Sequence, residues 1–433
     1  MTSLLEHPRG AAPGQPGDRS AFSFEQHVRL PDSPTGKGRG GARYGRTGII
    51  HTPHGDIKTP AFVPVATQAA MKAVLPEQMT QLGAQCLLSN AFHLFERPGP
   101  DVLDKAGGLA KFMNWDGPTF TDSGGFQVMS LGVGFKKTLA MDVTGMKSDD
   151  VIAKGHDRLA FVDEDGVTFK SPLNGSLHRF SAEISMGIQH QLGADIMFAF
   201  DELTTLMNTR RYQEESVERT FRWAKRCVAE HQRLTAGRLG RPYQALYGVV
   251  QGANYEDLRR RASAQISSLD FDGVGIGGAM EKRIIGDICA WICDEMPEER
   301  PRHVLGIAAV DDIFACAENG GDTFDCVAPA RCGRNGAIFT RDGRYNIKRA
   351  ANKYDFGPLE EGCTCYTCTH YSRAYVDHLL RSHEMNGFTL ATIHNEHFFV
   401  TLLDEIRASI DGGYFDEYRG ETLARFYANG SRG

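Results

Sequence analysis

The chain has 433 residues, of which 41% are hydrophobic and 24% are charged, and its formal net charge at pH 7 is −6. This composition is typical of a globular protein, and the acidic balance argues against non-specific binding of nucleic acid over the whole surface. No window reaches the roughly 18 apolar residues of a membrane span, and the N-terminus lacks the apolar stretch of a signal peptide, so we expect a cytoplasmic protein.

Short apolar runs alternate with amphipathic segments along most of the chain. Residues 1–20 lack hydrophobic periodicity and are predicted to be a disordered tail, and strands begin near Phe22. The apolar runs that follow span residues 61–67, 85–91, 118–125, 195–202, 244–252, 271–278, 302–309 and 322–330. Eight strand–helix repeats predict an α/β fold, a (β/α)8 TIM barrel. An open, doubly wound sheet is the alternative that the same alternation allows.

Polar residues and a glycine pair lie at the ends of these runs. They are Asp122, Asp201, Gln251, the pair Gly277 and Gly278, and Asp325. In a barrel the C-terminal ends of the strands meet at one mouth, where sites are built. A single aspartate at such a position is more often a helix cap, but three aspartates and a glutamine at corresponding strand ends indicate a functional site.

An insertion at about residues 131–176 interrupts the alternation. Its D-G and N-G steps predict a hairpin with strands on either side. A long segment at a barrel mouth serves either as a lid or substrate platform or as decoration without a role, and the sequence leaves both open.

A basic stretch follows the last apolar run. Between Arg331 and Lys353 the chain carries seven basic residues and one acidic residue, Asp342. In an acidic protein this stretch is a candidate anion site, and a solvated loop is the alternative.

Three cysteines cluster near the C-terminus as C-x-C-x2-C: Cys363, Cys365 and Cys368. Three thiolates and one imidazole would satisfy a tetrahedral structural Zn²⁺ with no position left for water. Spacing does not choose among the candidate histidines, which are His370, His378, His383, His394 and His397. Free thiols that merely pack together are the alternative.

Six motifs in order, "TDSGGFQVMS", "AFDE", "VVQG", "GIGG", "FDCVAPARCGRNG" and "CTCYTC…TIHN", resemble the bacterial tRNA-guanine transglycosylase family. The likeness runs from about residue 22 to the C-terminus. It implies a TIM barrel with a zinc-binding subdomain, which we expect to divide the chain into a catalytic barrel over 21–350, a zinc-binding subdomain over 351–400 and a C-terminal helical segment over 401–433 that packs on the barrel.

The resemblance also implies a reaction. A family member exchanges guanine at position 34 of tRNAs with a U-G-U anticodon core for a free 7-deazaguanine base, either the precursor preQ1 or queuine. Asp325 would be the nucleophile and Asp122 the general acid/base, as in retaining glycosidases. The other residues that match family positions are Ser123, Asp201, Gln251 and Gly278 for the base edge, Phe126 and Leu305 for its faces, Arg331 and Arg334 for tRNA, and Cys363, Cys365, Cys368 and His394 for zinc.

The resemblance implies a homodimer, because family members are commonly homodimers.

The chain departs from the family pattern after the sixth strand. Where many bacterial relatives read "GGLAVGE", this chain reads "GGAMEKRIIGD" with Glu281 displaced, which raises the hypothesis that the incoming base is queuine. Two other classes remain: a non-catalytic tRNA-binding subunit, which would lack the acidic pair, and a metal-dependent barrel hydrolase, which would need histidines at several strand ends.

Overall fold

The structure is a computed structural model that describes residues 18–130, 160–238 and 240–428. The predicted tail therefore lies outside the described residues up to position 17, as does the predicted insertion from 131 to 159. Within these ranges no helix is long and apolar enough to cross a membrane.

Five groups of strands follow one another along the chain. An antiparallel N-terminal sheet contains β1 (Ser23–Arg29), β2 (Arg46–Thr52) and β3 (Gly55–Thr59). The barrel begins with β4 (Ala61–Pro64), β5 (Leu87–Ser89) and β6 (Thr119–Thr121). A small antiparallel sheet contains β7 (Ala160–Val162), β8 (Val167–Lys170) and β9 (Leu177–Phe180). The barrel continues with β10 (Ile196–Phe198), β11 (Ala245–Val250), β12 (Gly273–Ile276), β13 (Arg302–Val304) and β14 (Thr323–Cys326). A hairpin of β15 (Ala337–Thr340) and β16 (Gly343–Asn346) comes last.

Helices connect and surround these strands. The first six are α1 (Pro76–Gln81), α2 (Ala91–Glu96), α3 (Pro100–Ala106), α4 (Leu109–Phe112), α5 (Gly125–Ser130) and α6 (Ala182–Leu192). The next five are α7 (Arg210–Gly237), α8 (Glu256–Ser267), α9 (Ile285–Cys293), α10 (Val310–Glu318) and α11 (Ala328–Asn335). The C-terminal part contains α12 (Tyr366–His370), α13 (Arg373–Arg381), α14 (Met385–Asp411) and α15 (Phe415–Tyr427).

The eight parallel strands close into a barrel. Their order is β4, β14, β13, β12, β11, β10, β6, β5, and a parallel bridge between Val65 and Leu88 joins the two ends. Closure confirms the predicted (β/α)8 barrel and excludes the open sheet, and every predicted apolar run contains one barrel strand. Aromatic side chains such as Phe120, Phe198 and Tyr247 fill the interior, as expected for a packed barrel core.

Local signals in the sequence explain several element ends. Ser181 is the N-cap of α6, and its side chain accepts a hydrogen bond from the Ile184 N–H. The predicted D-G and N-G turns connect β7 to β8 and β8 to β9. At Gly166 in the first of these turns, a Cβ atom would lie 2.1 Å from the carbonyl oxygen of Phe180 in β9, so only glycine allows the start of β8 to approach the end of β9 so closely.

The C-terminal helix α15 packs against helix α10, which connects barrel strands β13 and β14. Phe314 of α10 contacts Phe415 and Tyr418 of α15, with ring centroids 6.1 and 5.8 Å apart. Helix α14 runs without interruption through position 400, where the sequence analysis ended the zinc-binding subdomain. The division of the chain into functional units stays our proposal.

Candidate active site at the barrel mouth

The predicted site residues at the strand ends lie together at the C-terminal mouth of the barrel. Asp122 directly follows β6, Gln251 directly follows β11, and Asp325 lies in β14. Ser123 and Gln251 both donate hydrogen bonds to Asp201, and the charge of Asp325 influences the ionisation of Asp122. Strands that are distant in sequence therefore contribute to one constellation.

Asp122 is a half-buried carboxyl group that the structure holds from several sides. Its Oδ1 accepts from the N–H groups of Ala91 at 2.8 Å and Gly124 at 3.2 Å, and its Oδ2 accepts from the side-chain amide of Asn90. The pKa of Asp122 is raised from 3.8 to about 7 in total: desolvation in the mouth is the largest cause, the negative charge of Asp325 adds to it, and the hydrogen bonds oppose it. Asp122 can therefore exchange a proton near neutral pH, which is what a general acid/base requires.

Asp325 is oriented from inside the barrel. Its Oδ1 accepts from His303 Nε2 at 3.0 Å and from the Gly306 N–H at 3.0 Å. His303 Nδ1 lies 2.9 Å from Thr323 Oγ1, and the ring packs between Phe120 and Phe198. With Nε2 donating to the carboxylate, a neutral ring accepts the Thr323 hydroxyl hydrogen at Nδ1. One carboxylate oxygen is thus fixed, which orients the other.

His303 was not among the residues predicted from the sequence, although a signal for it was present. The run that contains β13 begins with two polar residues, Arg302 and His303, and His303 lies two positions before Leu305; residues two apart in a strand share a face. His303 pairs in register with Thr323 of β14, and Asp325 lies two residues further along the same face. An inward-facing histidine next to a strand-end aspartate could therefore have been predicted.

Asp201 is the centre of a second polar group in the mouth. Its Oδ1 accepts from Ser123 Oγ at 3.2 Å and its Oδ2 from Gln251 Nε2 at 2.6 Å. The pKa of Asp201 is raised to about 6 in total, because desolvation outweighs the lowering effect of these two hydrogen bonds. Gly278, the fourth predicted base contact, lies against Gln251, because a Cβ at Gly278 would be 2.4 Å from Gln251 Oε1. The structure thus brings together the four polar residues predicted to read the base edge.

The two residues predicted to cover the faces of the base follow barrel strands β13 and β6. Leu305 is half-buried beside the glycine pair, with its Cδ1 3.1 Å from the position of a Cβ at Gly277. Phe126 lies in the first turn of α5, where it is 40% exposed. An exposed aromatic ring at a barrel mouth is available for stacking on a flat ligand.

The segment after Asp325 forms helix α11. Helix α11 has Pro329 near its start and Gly336, with φ +90°, at its C-cap, which are typical start and stop signals. Arg331 is exposed and Arg334 is half-buried on this helix, close in sequence to Asp325.

The charged residues of the basic stretch are not all available to bind an anion, because some form ion pairs within the protein. Arg341 forms an ion pair with Glu405, and the acidic residue of the stretch, Asp342, pairs with Arg425 at 2.6 Å. These contacts tie the β15–β16 hairpin to α14 and α15. Arg331 and Arg334 therefore remain the basic residues closest in sequence to the mouth.

Comparison with known proteins identifies the family. Residues 42–428 match the family described as queuine tRNA-ribosyltransferase. A protein of that name from Lysinibacillus sphaericus (strain C3-41) is 42% identical over 388 residues, which cover 89% of this chain and 93% of the relative. The chain belongs to this family. Relatives of the same name from Symbiobacterium thermophilum and Pelotomaculum thermopropionicum are 42% and 40% identical and cover 88% of this chain, with 88% and 95% of their own lengths matched.

This member of the queuine tRNA-ribosyltransferase family departs from the expected pattern in the segment after β12. That segment forms a short loop. The N–H of Glu281 donates to the side-chain carbonyl of Asn254 at 3.0 Å, and the Glu281 carboxylate accepts from Arg283 Nε at 2.6 Å. A single 3-10 turn, Lys282–Ile284, then leads into α9. The carboxylate of Glu281 in this loop is therefore already paired with the Arg283 guanidinium.

The predicted metal ligands of this family member form one cluster. The donor atoms of Cys363, Cys365, Cys368 and His394 all lie within 4.8 Å of one another. The three sulfur atoms lie 3.7, 3.5 and 3.3 Å from His394 Nδ1. Zinc–sulfur bonds of about 2.3 Å and zinc–nitrogen bonds of about 2.0 Å in a tetrahedron require sulfur–nitrogen edges of about 3.5 Å. The cluster therefore fits zinc.

The structure also explains which histidine joins the thiols. His394 lies on the buried face of α14, and its Nε2 lies 2.8 Å from the Phe339 carbonyl oxygen. Donation to that carbonyl leaves Nδ1 free as a metal ligand, a common arrangement in metal sites. Among the other candidates, His397 contacts Thr364 and Thr401 instead.

Proposed function

We propose that the chain is a tRNA-guanine transglycosylase that exchanges guanine 34 of U-G-U anticodon tRNAs for a 7-deazaguanine base. The observation that carries the proposal is the pair of aspartates at one mouth, of which Asp122 titrates near neutral pH and Asp325 is oriented by His303 and Gly306. Two carboxyl groups in different roles are the minimum for replacing a base with retention of configuration. Family membership supports the same reaction.

In the proposed mechanism, Asp325 attacks C1′ of the guanosine ribose. A carboxylate–C1′ ester bond forms as the C1′–N9 bond breaks, and the bonding electron pair stays on N9 of the leaving guanine. Protonated Asp122 gives N9 its proton. In the second half, Asp122 removes the N9 proton of the incoming base, N9 attacks C1′, and the ester bond breaks to regenerate the Asp325 carboxylate.

The second polar group would recognise the base. Asp201 accepts from the N–H groups on the guanine edge, Gln251 orients Asp201 and contacts the same edge, and the Gly278 N–H donates to the base carbonyl. Ser123 holds the other oxygen of Asp201. Phe126 and Leu305 cover the two faces of the base, and Arg331 and Arg334 contact the nucleotides beside it.

We further propose queuine as the incoming base. The curated relatives are named for queuine, and Glu281 is paired with Arg283 in this chain. A paired carboxylate is a weaker acceptor for the aminomethyl group of the small precursor.

The test of the function is an exchange assay. Purified protein is incubated with tRNA labelled in guanine 34 and with either free base, and release of label and the modified nucleoside are measured. We expect exchange with queuine. Exchange with the precursor alone would remove the queuine proposal, and no exchange with either base would remove the proposed function.

A non-catalytic subunit is not favoured, because both aspartates are present. Assembly into a homodimer stays a prediction from the resemblance.

Arg334→Ala is expected to weaken tRNA binding. Loss of one phosphate or base contact should reduce the slope of log K against log salt concentration by about 0.7 per lost phosphate contact. Affinity for the free base should not change, since Arg334 does not line the base site. The measurement is tRNA affinity at several salt concentrations. Arg341→Ala is the matched control, because Arg341 belongs to the same basic stretch but pairs with Glu405. Equal slopes for both variants would contradict the assignment.

We propose zinc as the metal of the cluster, with a structural role. Cys365→Ser is expected to lower bound metal from about one ion per chain to nearly none and to loosen the C-terminal part, because metal binding contributes folding free energy. Metal analysis and hydrogen exchange of residues 337–381 would measure this. Cys332→Ser, outside the cluster, should keep the metal. Unchanged metal content in Cys365→Ser would overturn the zinc assignment.

A further inference from the structure

Arg259 is a fully buried cation next to the proposed base site. It lies in α8, and no carboxylate pairs with it anywhere in the described ranges. Burial lowers the pKa of its guanidinium to about 9, so it remains charged at pH 7. Removing a charge from water without an ion-pair partner is costly, so the side chain needs an explanation.

The guanidinium of Arg259 binds main-chain carbonyl groups of two strand-end loops. Nε donates to the Ala253 carbonyl at 2.8 Å, and Nη1 donates to the carbonyls of Val250 at 2.9 Å and Gly277 at 2.7 Å. Val250 ends β11 just before Gln251, and Gly277 follows β12 just before Gly278. Arg259 thus connects the two loops that carry base-reading groups.

The bond to Gly277 determines the direction of the next N–H group. The Gly277 carbonyl and the Gly278 N–H belong to one peptide plane and point in opposite directions when the peptide bond is trans. With the carbonyl held by Arg259, the Gly278 N–H is directed away from Arg259. No residue in the described part of the chain accepts a hydrogen bond from it. A cation on the carbonyl also polarises the peptide and strengthens its N–H as a donor.

Two unpaired polar atoms mark the same place. Gln251 Oε1 and Arg259 Nη2 are both buried and have no hydrogen-bond partner among the described residues. A Cβ at Gly278 would lie 2.4 Å from the first and 3.4 Å from the second. Buried polar groups normally have partners, so unpaired groups converging on one backbone position indicate a ligand site.

We propose that Arg259 is a positioning residue that fixes and polarises the Gly277–Gly278 peptide for the six-position carbonyl of the purine ring. The proposal rests on the proposed function and names how that site selects its base. Guanine and 7-deazaguanines carry this carbonyl, whereas adenine presents an amino group there, a donor facing a donor. As the glycosidic bond breaks, negative charge spreads onto the carbonyl oxygen, and a polarised N–H stabilises it more strongly.

The test compares guanine with 2-aminopurine, which keeps the amino group at position 2 but lacks the carbonyl. Affinities of the wild-type protein, Arg259→Met and Arg259→Lys are measured by calorimetry. The wild type should prefer guanine. Arg259→Met should reduce this preference at least tenfold, because its affinity for guanine falls while its affinity for 2-aminopurine changes less than twofold. The preference of Arg259→Lys should lie between those of the wild type and Arg259→Met.

The controls separate positioning from a general structural role. Arg261→Met, an exposed arginine of the same helix that pairs with Glu218, should keep the wild-type preference. Equal losses for both bases, or an unchanged preference in Arg259→Met, would overturn the proposal. Circular dichroism shows whether Arg259→Met folds. If it does not fold, Arg259→Lys becomes the test variant, and a preference for guanine over 2-aminopurine equal to that of the wild type would overturn the proposal. Wild-type protein that exchanges guanine but shows no preference overturns this proposal alone, whereas absence of exchange removes the proposed function.

Discussion

Asp325→Asn is expected to abolish base exchange while leaving the protein folded. The amide is a far weaker nucleophile than the carboxylate, and the carbonyl oxygen of asparagine can still accept from His303 and Gly306, so the surrounding packing should persist. We expect a loss of at least about 10³-fold in kcat, typical of removing a nucleophile that acts together with a positioned acid/base. Affinity for tRNA should change little, because Arg331 and Arg334 are untouched.

The direct measurement is mass spectrometry of denatured protein after incubation with substrate tRNA. Wild-type protein should carry an RNA adduct that maps to Asp325, and Asp325→Asn should carry none. Asp195→Asn is a suitable control, because Asp195 is a buried aspartate that precedes β10 and bonds to Thr119 and His54 at the opposite end of the strands. It should retain the adduct if folded. Adduct formation in Asp325→Asn would remove the proposed nucleophile.

Asp122→Asn is expected to lower the rate of adduct formation by about 10²–10⁴-fold, the usual contribution of a general acid. Asparagine keeps the shape of the protonated carboxyl group but cannot transfer the proton to N9. In the wild type, the rate should fall as the pH rises through about 7, because the acid form of Asp122 is lost there. The measurement is the pH profile of single-turnover adduct formation. A wild-type profile without a decline near pH 7 would contradict the assignment.

The same substitution has a predicted effect on stability that is independent of catalysis. Desolvation raises the pKa of Asp122 from 3.8 to about 7, so between these pH values the folded protein binds a proton that the unfolded chain has released. The free energy of unfolding therefore decreases as the pH rises through this window. Asparagine does not ionise. Asp122→Asn should consequently melt above the wild type at pH 8 and at nearly the same temperature below pH 4.

Much of the barrel was predictable because its strands lie in short, largely apolar runs. Each of the eight predicted runs contains one barrel strand, and such runs are typical of parallel strands that are buried on both sides. The positions of Asp122 and Asp325 at the mouth were predictable because both residues interrupt apolar runs at strand ends. The place of His394 in the Cys/His cluster was not predictable from spacing, since it depends on which face of α14 is buried.

Arg259 and His303 show what the sequence could not reveal. Arg259 is one of three consecutive arginines in α8, and nothing local distinguishes it from half-buried Arg260 and exposed Arg261. Its role arises from carbonyl groups that β11 and β12 bring to it. The helix after Asp325 is a different case, because Pro329 and Gly336 already marked its two ends.

The proposed nucleophile lies where the first and last barrel strands meet. Asp325 lies in β14, the last barrel strand, which pairs in register with β4, the first, so that Asp325 lies opposite Val63. In the order of synthesis, the proposed acid/base Asp122 precedes Asp325 by some two hundred residues. We therefore expect a nascent or truncated chain to lack base exchange until β14 docks against β4, so that turnover would indicate completed closure of the ring of strands.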